Sequence, residues 1–414
     1  MQIALEPRAR KFWLLAISML VATVYMALVT REFVAAHLAS RPALASRQRA
    51  VKLEAGNADY RHALGSYFAL VDPSAAVEQY KAAVQLNPHA ARYRLDLAAA
   101  YQVLNNPEAQ KQALDRAIQA DPTTPDVAWE AANLSLVQGD TEKALREFRV
   151  VLQNDPYLPL AALQRCWVAN PDVDTLLQQV VPARVEAYLA FLDLLMEKKE
   201  TVGTMKVWSA LMQLHQHFEP RSAIDYIKYL ILQREVEQAR SVWQQAADML
   251  GLSAYLPSPK NLIVNGTFSL DVLNGGFDWQ YRKQPSVTLT LDPSDFHGGH
   301  RSLSIVFDGP GVSDAGIYQL ISVQPNTSYE FSGYFKAGEI EGAGGPRFAI
   351  QDLYSEKMYL ESDELKNAGF WKPVIGEFTT GPETKLLVLR VARVPTGSPI
   401  RGKLWIDDFH LSQK

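Results

Sequence analysis

Pro88, Pro122 and Pro156 each follow an Asn or Asp at the end of an alanine- and glutamine-rich segment, and they recur every 34 residues. Proline has no amide hydrogen to give to a helix and disfavours helical geometry in the residue before it. Each Asn-Pro or Asp-Pro therefore closes one helix and opens the next. A fixed period of this length predicts stacked helical hairpins, each burying its apolar face only against its neighbours.

From about residue 50 to 252, apolar residues return every three or four positions, as amphipathic helices require. "YRHALGSYFAL" and "AAVEQYKAAVQL" form one such pair, with Tyr60, Ala63, Leu64 and Tyr67 on the first helix and Ala76, Tyr80, Ala83 and Pro88 on the second. The next pair keeps Leu97, Tyr101, Ala117 and Pro122, with Gln110 where a small residue is expected; the third keeps Ala144, Phe148 and Pro156. This pattern resembles the tetratricopeptide repeat, which implies antiparallel helix pairs and a concave surface for a protein partner. "MKVWSALMQL" and "ARSVWQQAADML" place Trp208 and Trp243 at equivalent points of two degenerate units, whereas 157–185 is helical in pattern without the motif.

Before the repeats, Arg8, Arg10 and Lys11 precede an uncharged run from Phe12 to Thr30. Its length is close to the roughly 20 residues that span a hydrocarbon core. A cleaved signal peptide is the rival reading, but the Ala-x-Ala site in "ALAS" at 43–46 lies too far beyond the apolar run. Residues 1–32 are thus expected to be a tail and an uncleaved single-pass anchor. The basic tail, countered by Arg31, Arg41, Arg47 and Arg49, orients the bulk of the chain out of the cytoplasm.

The net charge of −4 offers no basic excess for nucleic acid. Cys166 is the single cysteine, which excludes an internal disulfide and a cysteine-rich metal site; a buried, inert thiol is expected there. The chain carries no phosphate loop, no G-x-S-x-G, no H-E-x-x-H and no dinucleotide fingerprint, so no enzyme is expected. His215 and His217 fall on different sides of a helix, and His297 and His300 flank two glycines in a turn-like stretch, so neither pair reads as a metal site.

At 253–260 two prolines and small polar residues mark a linker, and from 261 to 414 the pattern changes to period two. "LIVNGTF", "VTLTLD", "RSLSIVFDG", "SYEFSGYFKA", "KLLVLRVAR" and "KLWIDDFHL" read as short strands of an antiparallel sandwich. The opening "NLIVNGTFS", the central "QPNTSYEFSGYFKA" and the closing "GKLWIDDFHL" resemble the galactose-binding-like jelly rolls used as carbohydrate-binding modules. The fold class expected is therefore an all-α tetratricopeptide-like array followed by an all-β jelly-roll sandwich.

That resemblance implies a structural calcium between the opening and closing strands, with Asp407 as ligand and Asp408 second. Ser269 stands where an acidic ligand is expected, and both aspartates read equally as turn-capping groups. Sugar binding needs aromatic faces with a few orienting polar groups. Trp371 and Tyr354, beside turn-like segments, lead the candidates, followed by Tyr359, Trp279 and Tyr318. Trp405 cannot be assigned to a face from sequence.

The order of anchor, repeats and glycan-like module is similar to that of accessory proteins of bacterial exopolysaccharide or cell-envelope assembly. It implies a non-enzymatic scaffold in the inner membrane, with a protein partner on the helices and a polysaccharide on the sandwich. The alternative is a structural interaction protein whose sandwich binds no sugar.

Overall fold

The computed structural model describes residues 8–157, 159–309 and 311–414. The chain divides into two compact units, Met1–Leu194 and Leu195–Lys414.

In the first unit, α1 (Arg8–Ala39) leads into α2 (Leu44–Leu53). The segment Arg10–Ala39 is long and apolar enough to cross a membrane, a form shared by anchors and signal sequences, and its apolar side chains are exposed. The helix continues past the expected Thr30 because Arg31 and Glu32 extend it, and the Arg31 guanidinium bonds Glu54 at 2.6 Å, just beyond α2.

Three helix pairs follow: α3 (Ala58–Phe68) with α4 (Pro73–Leu86), α5 (Ala91–Val103) with α6 (Pro107–Ala120), and α7 (Pro125–Val137) with α8 (Thr141–Asn154). Asp72, Asn106 and Asp140 cap the second helix of each pair through side-chain oxygens that accept backbone N–H groups, and they recur at the repeat period. The second helices end before Asn87, Asp121 and Asp155, as the prolines require. Ala76, Ala83, Ala117 and Ala144 are fully buried, so small side chains occupy the places where helices meet.

The regular pairing then lapses. After α9 (Pro159–Ala169), the short α10 (Val173–Thr175) runs into a π-turn at Leu176–Val180, and α11 (Val185–Lys198) contains the division between the units. Cys166 is buried in α9, where desolvation pushes its thiol up to about 12 and leaves it inert.

The second unit holds α12 (Thr201–Gln213), α13 (Pro220–Leu232), α14 (Val236–Leu250) and the whole sandwich. Trp208 packs edge-on to Phe218 at 5.9 Å and against Tyr226 at 5.3 Å, and Trp243 is buried on α14. The strands are β1 (Trp279–Tyr281), β2 (Val287–Asp292), β3 (Ser302–Gly309), β4 (Asp314–Ser322), β5 (Ser328–Ala337), β6 (Glu341–Gly342), β7 (Gly345–Asp352), β8 (Met358–Glu361), β9 (Lys372–Thr379), β10 (Leu386–Val394) and β11 (Ile400–Gln413).

They form two antiparallel sheets, ordered β1-β4-β10-β7-β8 and β2-β3-β11-β5-β9, with β6 paired to β11. The core between the sheets centres on Phe268, Trp279, Phe331, Phe348 and Phe409, whose rings meet at 5.0–6.2 Å. The opening "LIVNGTF" is not a strand. Asn265 and Phe268 take positive φ, and the Asn265 side chain accepts from Leu270 N and donates to Leu270 O, closing a turn.

The stretch 253–260 does not leave helices and sandwich apart within this unit. The Trp243 indole N–H donates to the Tyr255 carbonyl at 3.0 Å, and the Tyr255 hydroxyl donates to the Asp271 carbonyl at 2.8 Å. Gly275 lies against Ile224 and Gly276 against the Trp243 ring. At Gly276 φ is +61° and a Cβ would stand 2.8 Å from that ring, so the close approach needs glycine.

Candidate functional site

Side chains alternate across a strand, so the parity of β4 decides what each face of the first sheet presents. Ala315, Ile317 and Ile321 enter the core, and the buried Gln319 side chain bonds both backbone groups of Val264. Tyr318, Leu320 and Ser322 therefore face outward. Registration across the sheet places Tyr318 beside Gln280 of β1 and Arg390 of β10, Arg390 beside Ala349 of β7, and Ala349 beside Glu361 of β8. One row of the outer face thus reads Gln280, Tyr318, Arg390, Ala349, Glu361.

The groups in this row hold one another in place. The Tyr318 hydroxyl donates to the Gln280 amide oxygen at 3.0 Å, and the Arg390 guanidinium donates to the Gln351 amide oxygen at 3.0 Å. The Nε–H of Arg390 is buried and has no partner, as is that of Arg347 on the same strand layer. Ala349, fully buried, lies between Arg390 and Glu361 in the register. On one flank Asp314 accepts from Arg282 at 3.1 Å and from Gln284 at 3.2 Å. An aromatic ring, an amide pair and a guanidinium make a surface suited to hydroxyl-rich ligands.

The second sheet's outer face is occupied by its own contacts. Trp405 lies between Ser304 and Lys336 in the register, its indole N–H donates to Asp292 at 2.9 Å, and the Lys403 and Lys336 ammonium groups stand 4.2 and 5.6 Å from its ring centroid. His297 stacks on Tyr334 at 3.6 Å, and Trp371 is half-buried 6.1 Å from His297. Trp371 thus belongs to an aromatic cluster on this second face, away from the Tyr318 row.

The other candidates fall elsewhere. Trp279 is 1 % exposed, stacked on Phe268 at 5.0 Å, with its N–H donated to the Asn265 carbonyl; its faces belong to the core. Tyr354 gives its hydroxyl to the Ile231 carbonyl at 2.8 Å, and Arg234 covers its ring at 5.1 Å, so it joins the sandwich to the end of α13. Tyr359 shares a bond with Thr384 at 2.7 Å and accepts from Gly381 N at 2.8 Å, bracing the turn before β10. Of the sequence candidates only Tyr318 stands in the open row.

Asp407 and Asp408 do not fit a calcium. A register shift in β11 after Asp407 leaves its carboxylate fully buried, where it accepts backbone N–H groups from His297 at 2.7 Å, Gly298 at 2.9 Å and Asp408 at 2.7 Å. Burial pushes this carboxyl up to about 6 against the pull of those amides. Three amide protons already surround the oxygens a cation would need. Asp408 faces His297 at 2.9 Å and His410 at 3.2 Å, and among the described residues no group of three or more His, Cys, Asp or Glu is placed to hold a metal.

Sequence reasoning missed Gln280, Arg390, Gln351 and Glu361. The one usable signal was Arg390, a single charge inside the apolar run "KLLVLRVAR", whose position in the alternation points it outward.

No curated protein sequence matches the chain. Among solved structures it is similar to one described as "CBM4 structure and function", at 16% identity over 37% of this chain and 99% of that one, with a TM-score of 0.28. It is also similar to the CBM22-1 xylan-binding domain from Paenibacillus barcinonensis Xyn10C, at 17% identity over 36% and 91% of the two chains, TM-score 0.25. A third is Pseudomonas aeruginosa pilF, at 18% identity over 50% and 83%, TM-score 0.25. Residues 260–396, which carry the Tyr318 row, match the sequence model of a family described as "Carbohydrate binding domain".

Proposed function

We propose that this protein is a membrane-anchored, non-catalytic scaffold that holds a polysaccharide on the outer face of its first sheet and a protein partner on its helical repeats. The observation that carries the sugar reading is the part-exposed Tyr318 ring, fixed by Gln280 and registered beside Arg390 on the outward face of the first sheet, inside the segment that matches a carbohydrate-binding family. The ring of Tyr318 supplies an apolar surface for sugar C–H groups.

The anchor reading assigns Arg10–Ala39 to the bacterial inner membrane, with the rest outside the cytoplasm, in exopolysaccharide or cell-envelope assembly. A second reading has one observation in its favour: the sandwich is joined to α13 and α14 through Tyr354 and Gly276, as a purely structural module would be.

One experiment separates the two. Full-length protein in detergent is screened by affinity electrophoresis against xylan, β-1,4-galactan and alginate. The sugar reading expects retardation by a polysaccharide that Tyr318→Ala and Arg390→Ala each abolish with melting temperature unchanged. Retardation by none of them leaves the structural reading.

A further inference from the structure

Within the second unit, α14 and the end of β4 enclose a groove of 610 Å³, with Arg240, Ser241 and Gln244 on the helical side and Phe277, Leu320 and Ser322 on the sandwich side. Its position relative to the row described above is fixed by strand geometry. Leu320 lies two residues from Tyr318 on the same face of β4, a separation of about 7 Å along the strand and across the direction of the row, so the groove opens beside Tyr318.

The two sides differ in chemistry. Phe277 and Leu320 are nearly buried and present a small apolar floor. Arg240 and Gln244 are exposed and one helical turn apart, so they stand side by side along the wall. Arg240 pairs with Glu237 at 3.0 Å through one terminal nitrogen, and Gln244 donates to Asp248, which leaves the other Arg240 donors and the Gln244 oxygen facing the groove and solvent. The wall is held firmly, because Trp243, which also lines the groove, packs against Gly276 and gives its indole N–H to the Tyr255 carbonyl.

We propose that the glycan cleft continues beyond the sandwich into this groove, so that α14 of the helical repeats forms its far wall. Arg240 and Gln244 bind hydroxyl groups of sugar units that follow the one seated on Tyr318, while the apolar faces of those units rest on Leu320 and Phe277. The proposal rests on the reading of the Tyr318 row as a sugar site. It makes the site composite: neither the strands nor the helices alone would complete it, and a chain longer than the row is required to fill it. Arg240 is paired to Glu237, Arg282 to Asp314, and Arg390 and Glu361 carry opposite charges in the row, so the charge along the path is balanced and suits a neutral polysaccharide.

The test uses full-length protein in detergent with soluble xylan, β-1,4-galactan and their disaccharides and hexasaccharides, measured by calorimetry beside the Arg240→Ala/Gln244→Ala double variant and Arg390→Ala. The double variant is expected to bind the polysaccharide and hexasaccharide about tenfold more weakly, the effect of losing one or two hydrogen bonds, and the disaccharide as well as the parent does. Arg390→Ala is expected to weaken all lengths. Unchanged hexasaccharide affinity in the double variant, or equal losses for disaccharide and hexasaccharide, overturns the composite cleft while leaving the sugar site in place. Absence of binding to either glycan by the parent overturns both.

Discussion

The Tyr354 hydroxyl donates to the Ile231 carbonyl at 2.8 Å, joining the turn after β7 to the last turn of α13 across more than a hundred residues of chain. The Ile231 carbonyl in the helix's last turn also accepts from Arg234 N at 3.0 Å, so the hydroxyl adds a second bond to it. Tyr354→Phe keeps the ring under Arg234 and removes only this bond, with an expected loss of about 1 kcal/mol in denaturant unfolding. Glycan affinity should not change, because Tyr354 lies outside the Tyr318 row. A selective loss of sugar binding with stability intact would return Tyr354 to the ligand platform.

Gly276 combines a positive φ with close approach to Trp243. Gly276→Val adds a branched side chain where a single Cβ already stands 2.8 Å from the ring, and forces a conformation that branched residues avoid. The expected cost is about 2–4 kcal/mol, accompanied by a shift in tryptophan emission as Trp243 gains solvent. Melting that matches the parent would show that the helix and the loop separate readily.

Asp278 is fully buried beside this loop, where one carboxylate oxygen accepts from Leu273 N at 2.7 Å and the Trp279 amide and Asn265 side chain also lie near it. Desolvation raises its carboxyl to about 6. A folded-state value above the unfolded value of about 3.9 means that folding favours the protonated form. The stabilisation is therefore complete below about pH 4 and is lost as pH rises through about 6. Asp278→Asn should raise stability at pH 7 by on the order of 2–3 kcal/mol and change little at pH 4. Asp407, raised in the same direction by burial, contributes a parallel dependence that remains in this variant. Equal effects of Asp278→Asn at both pH values would show that the folded-state carboxyl titrates where the unfolded one does.

In the first unit, Ala83 and Ala117 are fully buried at equivalent places of successive repeats. Ala83→Leu or Ala117→Leu should wedge the helices apart at a cost of about 1–3 kcal/mol. Because each repeat is buried only by its neighbours, hydrogen exchange should quicken in the flanking helices as well as in the substituted one. Protection that changes in one helix alone would argue against coupled repeats.

What the sequence determined by itself was everything set by local chemistry. Pro88, Pro122 and Pro156 end helices, period-two alternation makes a strand of "VTLTLD" because one face must be buried, and "KLLVLRVAR" is apolar on both faces, as a strand buried on both sides requires. The tertiary structure alone decided which aromatic ring meets water. Trp279, Tyr354 and Tyr318 look alike as residues beside turns or short strands, yet one fills the core, one caps α13 and one stands in an open row. Burial depends on which distant segments arrive, and Ile231, Phe268 and Arg390 reach these rings only through the packing of sheets and helices. The same reason hid Asp407: its carboxylate could serve a cation or a turn until the amides of His297 and Gly298 were brought to it from far along the chain.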